Sequence, residues 1–540
     1  MWSRALRPIR TSVHRTVLFS RRYNGQPGPH TTYFQPPPQK PPRRIFRAVF
    51  FGTTCFVAGA IGSAWALDPE ELEAMGLVTE GGAMEDDLVM AMQAGARDLA
   101  AKNVPIHDLA RAQAVLESGS GYSITPYAVG HHCQLPSNMP CEDVMSSGVY
   151  HLFQDPKRDW CNWSILDGHA GPKTAHMLQD NLPIVVGMEL WNAKCMDRPY
   201  VPEDFTIIRA FKKAFQNLDE SILRDAAQCL HSGEKDLAHS IALTAAAMSG
   251  SCALLALFDP QRSVLRVANV GDSRAVLGRW DDKEGKYVAQ AMSEDQTGFN
   301  EDEVERIRRE HPDEDVVDPK TGRVHGIAVS RAFGDARWKW SSDLARTVYE
   351  KFWGPTPRPN GMIKTPPYLT AEPEIMETQV QSGDHPDFLI MASDGFWDNM
   401  SSEDAVVCVQ QWLDKYNPTR FIDLKGQGGE QHGDLEDKLQ ARSMQDYKPD
   451  FTNDPSEPDE TWWDEGERAM KWRVSPKHFI VEDELHCGIH LVKNALGGKR
   501  RNLFRGLMSI QPPNSRKVRD DISVQVVFFG QDIKDGMGLY

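Results

Sequence analysis

The sequence predicts an α+β fold, in which antiparallel β-structure carries helices on its outside. Three observations point there. From Pro136 onward, apolar runs of strand length recur along the chain, among them CNWSIL, SVLRVANVG, DFLIMAS and ISVQVVFF. SCALLALF and SVLRVANV are separated by only Asp259, Pro260, Gln261 and Arg262, a spacing that predicts a hairpin. FTIIRAFKKAFQNLDESILRDAAQCL places Ile208, Phe211, Phe215, Leu218 and Ile222 on one helical face, a stripe suited to core packing. With 540 residues, 40% of them hydrophobic, the chain can bury a large core and still carry insertions.

The elements in chain order begin with an address. The net charge of −16 is uneven: residues 1–67 hold ten Arg and Lys and no Asp or Glu, so the remainder carries −26. In MWSRALRPIRTSVHRTVLFSRRYN, Arg4, Arg7, Arg10 and Arg15 alternate with Trp2, Leu6, Ile9, Val13, Val17 and Leu18. That is the composition of a mitochondrial presequence, with a disordered basic tail as the plainer alternative. A proline-rich spacer, QPPPQKPPRR, completes residues 1–47. Residues 48–67, AVFFGTTCFVAGAIGSAWAL, carry no charge and are long enough to cross a hydrocarbon core of about 30 Å. Arg43, Arg44 and Arg47 crowd their leading edge, so we expect a transmembrane helix in the inner mitochondrial membrane rather than a buried soluble helix. The side on which the body lies, matrix or intermembrane space, and whether the anchor is cleaved, stay open. Residues 68–125 read as a helical lead-in without chemistry.

The acidic body excludes nucleic acid as its main partner, because phosphate backbones are held by clustered Lys and Arg. The nine cysteines form no C-x-x-C pair, which fits reduced thiols better than a disulfide framework or a structural zinc site.

Several strand-length runs end in, or closely follow, an aspartate. CNWSIL leads into Asp167, SVLRVANVG into Asp272 and DFLIMAS into Asp394, while Asp520 and Asp521 precede ISVQVVFF. A strand terminus holds a side chain rigidly at the rim of a sheet, so aspartates far apart in sequence can converge. Converging carboxylates repel one another unless cations hold them, and oxygen-only ligation suits Mg²⁺ or Mn²⁺. Two such ions can acidify a water and brace a phosphoryl group during in-line attack. Any one of these aspartates alone would more simply be a turn residue; the joint pattern carries the reading.

DGHAG (Asp167 to Gly171), VANVGDSRAVLG (Val267 to Gly278), VSRAFGD (Val329 to Asp335), SDGFWD (Ser393 to Asp398) and RDDIS (Arg519 to Ser523) resemble, in order, the signatures of the metal-dependent type 2C Ser/Thr protein phosphatases. QLPSNMPCED (Gln134 to Asp143), RAFGDARWKW (Arg331 to Trp340) and TPPYLTAEPEI (Thr365 to Ile375) are similar to mitochondrial pyruvate dehydrogenase phosphatase catalytic subunits. The resemblance runs from about Pro126 to Gly530 and is loose between Met400 and Val518. It implies the type 2C fold, a β-sandwich of two antiparallel sheets flanked by helices in α-β-β-α layers, over residues 126–532. An acidic insertion at about 421–473 reads as a solvated loop, with partner docking as the alternative.

The resemblance also implies roles. Asp167 bridges two metal ions, the backbone carbonyl of Gly168 reaches one, and Asp394 and Asp520 complete the other; Glu142 and Asp143 hold metal-associated waters. Asp520 is preferred to Asp521 because the family places its ligand first in this element. His169 is the acid that protonates the leaving seryl oxygen, water is the nucleophile, and no covalent phosphoenzyme forms. Asp272 and Asp398 match a weaker third metal site, although Asp272 could equally cap the turn in VGDSR. Arg331 and Asp335 organise the fold and an adjoining flap, and Cys161 and Cys252 read as small core residues.

One departure is plain: where many members of the family place a phosphate-binding arginine, this chain has Asn138, as the pyruvate dehydrogenase branch does. No Arg or Lys lies between Ser137 and Asp143, so the cation facing the phosphate is unassigned. The expected substrate is the phosphorylated α subunit of pyruvate dehydrogenase. The rivals are another mitochondrial phosphoprotein as substrate, and a non-catalytic phosphatase-like scaffold, which would be expected to have lost some of Asp167, Asp394 and Asp520.

Overall fold

Continuous apolar strands arise here because each sheet is covered on both faces. In the computed structural model, which describes residues 107–151, 159–195, 203–232, 237–359, 361–416, 461–464 and 469–530, two antiparallel sheets stack face to face. The first sheet has the order β1-β2-β16-β13-β9-β10. Its strands are β1 (Ser120–Ile124), β2 (Ala128–Leu135), β9 (Arg274–Asp281), β10 (Lys286–Ala291), β13 (Phe388–Ala392) and β16 (Ile522–Phe529). The second has the order β12-β8-β7-β4-β3. It is built from β3 (Val144–Tyr150), β4 (Trp160–Leu166), β7 (Ala253–Asp259), β8 (Val264–Val270) and β12 (Glu374–Gln379).

The period-2 alternation of a strand sorts the side chains between two environments. Trp163, Ile165, Leu254, Ala256, Leu277, Leu389, Met391 and Val527 fill the space between the sheets. Their neighbours Leu166, Ala253, Leu255 and Leu257 face the helices α2 (Lys173–Asn192), α3 (Asp204–Ser232) and α4 (Leu237–Met248). On the other side, Phe388, Ile390, Val524 and Val526 pack against α1 (Leu109–Ser118), α9 (Ser402–Lys415), α10 (Cys487–Ala495) and α11 (Arg501–Ser509). The result is the expected α-β-β-α layering. The expected hairpin is present as β7 and β8, with Asp259 opposite Val264. The Asp259 carboxylate accepts the backbone N–H of Gln261 and of Arg262, which shapes the turn.

Between β10 and β12 the chain builds a small outlying unit around Ile307, Val316, Val324, Trp338 and Tyr368. It contains α5 (Glu301–Glu310); α6 (Ala336–Lys339) bridges it to the sandwich, and α7 (Ser342–Phe352) packs through Ala345 and Val348 with the α2–α4 layer. The Asn300 side chain caps α5 by accepting from the N–H groups of Asp302 and Glu303, and acidic residues fill its first turn. Arg331 latches this unit to the sandwich: it donates to Glu303 and Glu374 and to the carbonyl of Glu372.

Three boundaries differ from the sequence reading. Along α3 the buried aliphatic residue is Ile207, and Ile208 is only half-buried, because the stripe sits one residue earlier as the helix enters the core. The body begins before Pro126: β1 pairs with β2 from Ser120↔Cys133 to Ile124↔Val129, and Ala112 and Leu116 of α1 are buried. The trailing part of the expected insertion is not merely a solvated loop. Thr461–Asp464 (β14) pairs with Ala469–Trp472 (β15), and buried Trp472 donates its indole N–H to the Ala495 carbonyl at 2.9 Å.

The presequence, the apolar stretch 48–67, most of the lead-in and most of the acidic insertion lie outside the described residues. Among the described residues no helix is long and apolar enough to cross a membrane.

Candidate active site and metal centre

The site is assembled by loops at one rim of the sandwich. Asp167 follows β4; the next two residues form β5 (Gly168–His169), which pairs with β6 (Gly250–Ser251), itself paired with β11 (Phe333–Gly334). This three-stranded patch fixes what comes after each strand. The carbonyl of Asp167 accepts the Cys252 N–H at 2.8 Å, and the Asp335 N–H donates to the Ser249 carbonyl at 3.0 Å. A Cβ on Gly250 would overlap both the His169 ring and the Asp335 carboxylate, so only glycine allows those side chains to meet over it. Likewise a Cβ on Gly168 would overlap the Glu142 carbonyl, so the absent side chain lets these two backbones approach.

Asp272 lies in the β8–β9 loop after Gly271, whose φ of +109° is a conformation that L side chains rarely adopt. Asp394 opens the short helix α8 (Asp394–Trp397) directly after β13. One carboxylate oxygen from each of Asp167, Asp272 and Asp394 lies within 4.8 Å of the other two. Three such oxygens in a walled recess fit a hard divalent cation, since their electrostatic cost is otherwise uncompensated. Burial, and then the mutual repulsion of these aspartates with Asp143 and Asp520, holds Asp167 and Asp394 well above the ordinary carboxylate range. Asp272 is raised chiefly by burial. Asp143, buried and accepting from Ser393 Oγ at 2.8 Å, is pushed up to about 7 by burial and then by Asp521.

The two carboxylates before β16 divide their work. Asp521 accepts the backbone N–H groups of Ser137, Asn138 and Glu142, which bolts the 137–142 loop in place; although burial opposes its charge, those bonds keep its pKa below the usual value. Asp520 accepts the Asp521 N–H at 2.7 Å and pairs with Arg516. It lies against the start of α8, where a Cβ on Gly395 would come within 3.0 Å of the Asp520 Cβ, and its charge helps raise Asp167, Asp143 and Asp394. Glu142 accepts the Gly171 N–H and, at 2.7 Å, the Asn138 amide, so it ties the DGHAG loop to the 137–142 loop. Asp398 is not one of the three clustered carboxylates but borders the same cleft, where its charge helps raise Asp394; it is half-exposed and pairs with Lys471 of the β14–β15 hairpin at 3.2 Å.

His169 Nε2 lies 2.7 Å from Asp335 Oδ2, and Asp335 is almost fully buried. Burial disfavours the imidazolium, but Asp335, followed by Asp272 and Glu142, overrides it and raises the pKa of the ring. Asp335 itself adopts φ +50°, ψ 45°, a left-handed conformation uncommon outside glycine, asparagine and aspartate. Its direct bond to His169 gives it a role beyond organising the fold. Arg331, by contrast, serves the latch, and Cys161 is a fully buried core residue. Cys252 is buried but donates its thiol to Asp272 at 3.3 Å. Asp335 was visible in the SRAFGD run, whereas nothing local in NSRKVRDD marks Arg516 as a site residue.

Beside the cluster opens a cleft of about 670 Å³, lined among others by Asp272, Arg274, Phe299, Asp394, Asp398 and Arg473. Arg274 is held there by two bonds to Asp295.

Residues 132–425 match the family model described as Protein phosphatase 2C. The chain belongs to the protein phosphatase 2C family. A protein phosphatase 2C homolog of Schizosaccharomyces pombe is 34% identical to this phosphatase over 403 residues, covering 74% of this chain and 79% of that protein. The mitochondrial [pyruvate dehydrogenase [acetyl-transferring]]-phosphatase 1 of Saccharomyces cerevisiae is 34% identical over 417 residues, covering 74% and 68%. The protein of the same name from Bos taurus is 29% identical over 462 residues, covering 74% and 77%. The family is one of metal-dependent Ser/Thr phosphatases, and this phosphatase carries a three-aspartate recess suited to such a metal.

Proposed function

We propose that this protein phosphatase hydrolyses phosphoserine or phosphothreonine on the α subunit of mitochondrial pyruvate dehydrogenase, reactivating it. The convergence of Asp167, Asp272 and Asp394, together with the His169–Asp335 pair, supports the chemistry. The names of the yeast and bovine relatives support the substrate, and the basic, apolar-interleaved start of the chain supports the compartment.

In this reading Asp167, the Gly168 carbonyl, Asp394 and Asp520 would hold two Mg²⁺ or Mn²⁺ ions, with Glu142 and Asp143 acting through water, and Asp272 and Asp398 would serve a third. When bound, the ions acidify a water for in-line attack and offset charge on the phosphoryl group. The chain's own residues do the rest. Asp335 accepts a hydrogen bond from the His169 Nε2–H and so favours the imidazolium, leaving Nδ1–H to deliver its proton to the departing seryl or threonyl oxygen. The mixed charge of the cleft and its exposed Phe299 suit an extended phosphopeptide segment. Residues 48–67 would hold the body at the inner membrane, which alkaline extraction of mitochondria would read directly.

The test is phosphate release by the purified chain from phosphorylated pyruvate dehydrogenase α subunit and from an unrelated phosphoprotein, with Mg²⁺ or Mn²⁺, with EDTA, and with Asp167→Asn. Selective, metal-dependent release that the substitution abolishes is expected. Equal release from both substrates would remove the substrate assignment, and none under any metal would remove the catalytic one.

A further inference from the structure

A phosphoryl dianion entering a recess of carboxylates needs a cationic side chain beside it, yet the loop from Ser137 to Asp143 offers neither Lys nor Arg. The Asn138 amide, the nearest polar candidate there, is engaged by Glu142 at 2.7 Å. On the cleft side, Arg274 is committed to Asp295 and Lys471 to Asp398.

The structure supplies a guanidinium from elsewhere. The turn Asn514–Lys517 is clamped onto the 135–138 segment: fully buried Ser515 donates its hydroxyl to the Ser137 carbonyl at 2.6 Å, and Arg519 donates to the carbonyl of Pro136 at 2.9 Å. This clamp delivers Arg516 to the flank of the acidic cluster. There it pairs through Nη1 with Asp520 while its side chain stays 46% exposed, accessible to a ligand. Its charge is felt by Glu142 and acts with those of Asp394 and Asp521. Glu142 in turn holds the Gly171 N–H of the loop that carries His169, so Arg516 and the proton donor belong to one connected rim.

We propose that Arg516 is the substrate-binding cation of this site, receiving the phosphoryl oxygens of the phosphorylated side chain in a place where residue 138 cannot. A guanidinium presents five N–H donors in a planar fork that matches two phosphoryl oxygens, and one contact to Asp520 leaves donors for them. The assignment deepens the phosphatase reading and rests on it.

The experiment measures, on the full chain with saturating Mn²⁺, calorimetric binding of inorganic phosphate, the KM and kcat for a phosphopeptide, and the Mn²⁺ concentration for half-maximal activity. Arg516→Met is expected to weaken phosphate binding and raise KM by about tenfold to a hundredfold, the scale of a hydrogen bond to a charged group. Arg516→Lys should recover part of that loss, and Arg309→Met, on the exposed face of α5, should leave phosphate binding unchanged. If Arg516→Met leaves phosphate binding intact and only tightens Mn²⁺ binding, Arg516 merely balances Asp520 and the proposal fails. It fails equally if Arg473→Met, and not Arg516→Met, weakens phosphate. Should Arg516→Met not fold, Arg516→Lys carries the same comparison, since losing the fork must still weaken phosphate. A wild-type chain that releases no phosphate from any substrate would overturn the enzymatic reading, while the calorimetric comparison would still decide Arg516.

Discussion

At the level of single side chains, His169 acts through Asp335. The buried carboxylate fixes Nε2 and raises the pKa of the ring, so the imidazolium persists to higher pH than a solvent-exposed histidine would allow. Replacing His169 by Ala should lower kcat on a phosphopeptide by about 10²–10⁴, the usual yield of general acid catalysis. The same enzyme acting on an aryl phosphate, whose leaving group departs without a proton, should lose far less. Steady-state kinetics on the two substrates reads the difference, and equal losses would remove His169 from proton delivery. Asp335→Asn should follow the same pattern more weakly, with KM preserved. His169 was legible in DGHAG and Asp335 in SRAFGD; their pairing was not, because 166 residues separate them and the β5–β6–β11 patch brings them together.

Among the elements, the latch between α5 and the sandwich carries a definite electrostatic signature. Glu303 is 1% exposed, and although burial opposes its charge, Arg331 and Arg306 hold its pKa down to about 2 from an ordinary 4.5. A depressed carboxylate pKa stabilises the fold fully above the unfolded value, and that contribution is lost as pH falls from about 4.5 toward 2. The outlying unit should therefore loosen in that window, seen as amide exchange rising first across residues 297–329. Glu303→Gln should cost about 3 kcal/mol in denaturant unfolding at neutral pH, because it leaves the Arg331 guanidinium buried with only the half-exposed Glu374 as counter-charge. A cost under about 0.5 kcal/mol, the scale of an ordinary surface substitution, would show that the latch does not hold the unit. The α5 cap and acidic first turn were readable locally, but the long-range partners of Glu303 were not.

Across the whole molecule, five separate stretches of chain bring carboxylates to one rim, and the protein must tolerate their repulsion when no cation is bound. Raised carboxylate pKa values mean that the folded state binds protons more tightly than the unfolded state. Metal-free stability should then fall as pH rises from the ordinary aspartate value of 3.8 through about 7, where Asp143 titrates. In EDTA the melting temperature should be higher at pH 5.5 than at pH 8, and Mn²⁺ at a hundred times its Kd should add about 2.7 kcal/mol. Asp167→Asn should raise metal-free stability while abolishing turnover. Thermal melts with and without metal test all of these, and a metal-free stability that rises with pH would contradict the electrostatic account.

Short-range chemistry was written in the sequence by itself: the strand-length apolar runs, the β7–β8 hairpin with its Asp259 turn, the helical stripe of α3 to within one residue, and the aspartates at strand ends. Each depends on neighbours a few positions away, which a linear reading sees. Tertiary structure alone decided which aspartates meet, that Asp272 joins Asp167 and Asp394 while Asp398 pairs with Lys471, and that Asp521 braces a loop while Asp520 faces Arg516. It also decided that Trp472, from a stretch that reads as solvated, is buried. These outcomes depend on sheet register and loop docking between residues hundreds of positions apart, and no local pattern encodes that distance.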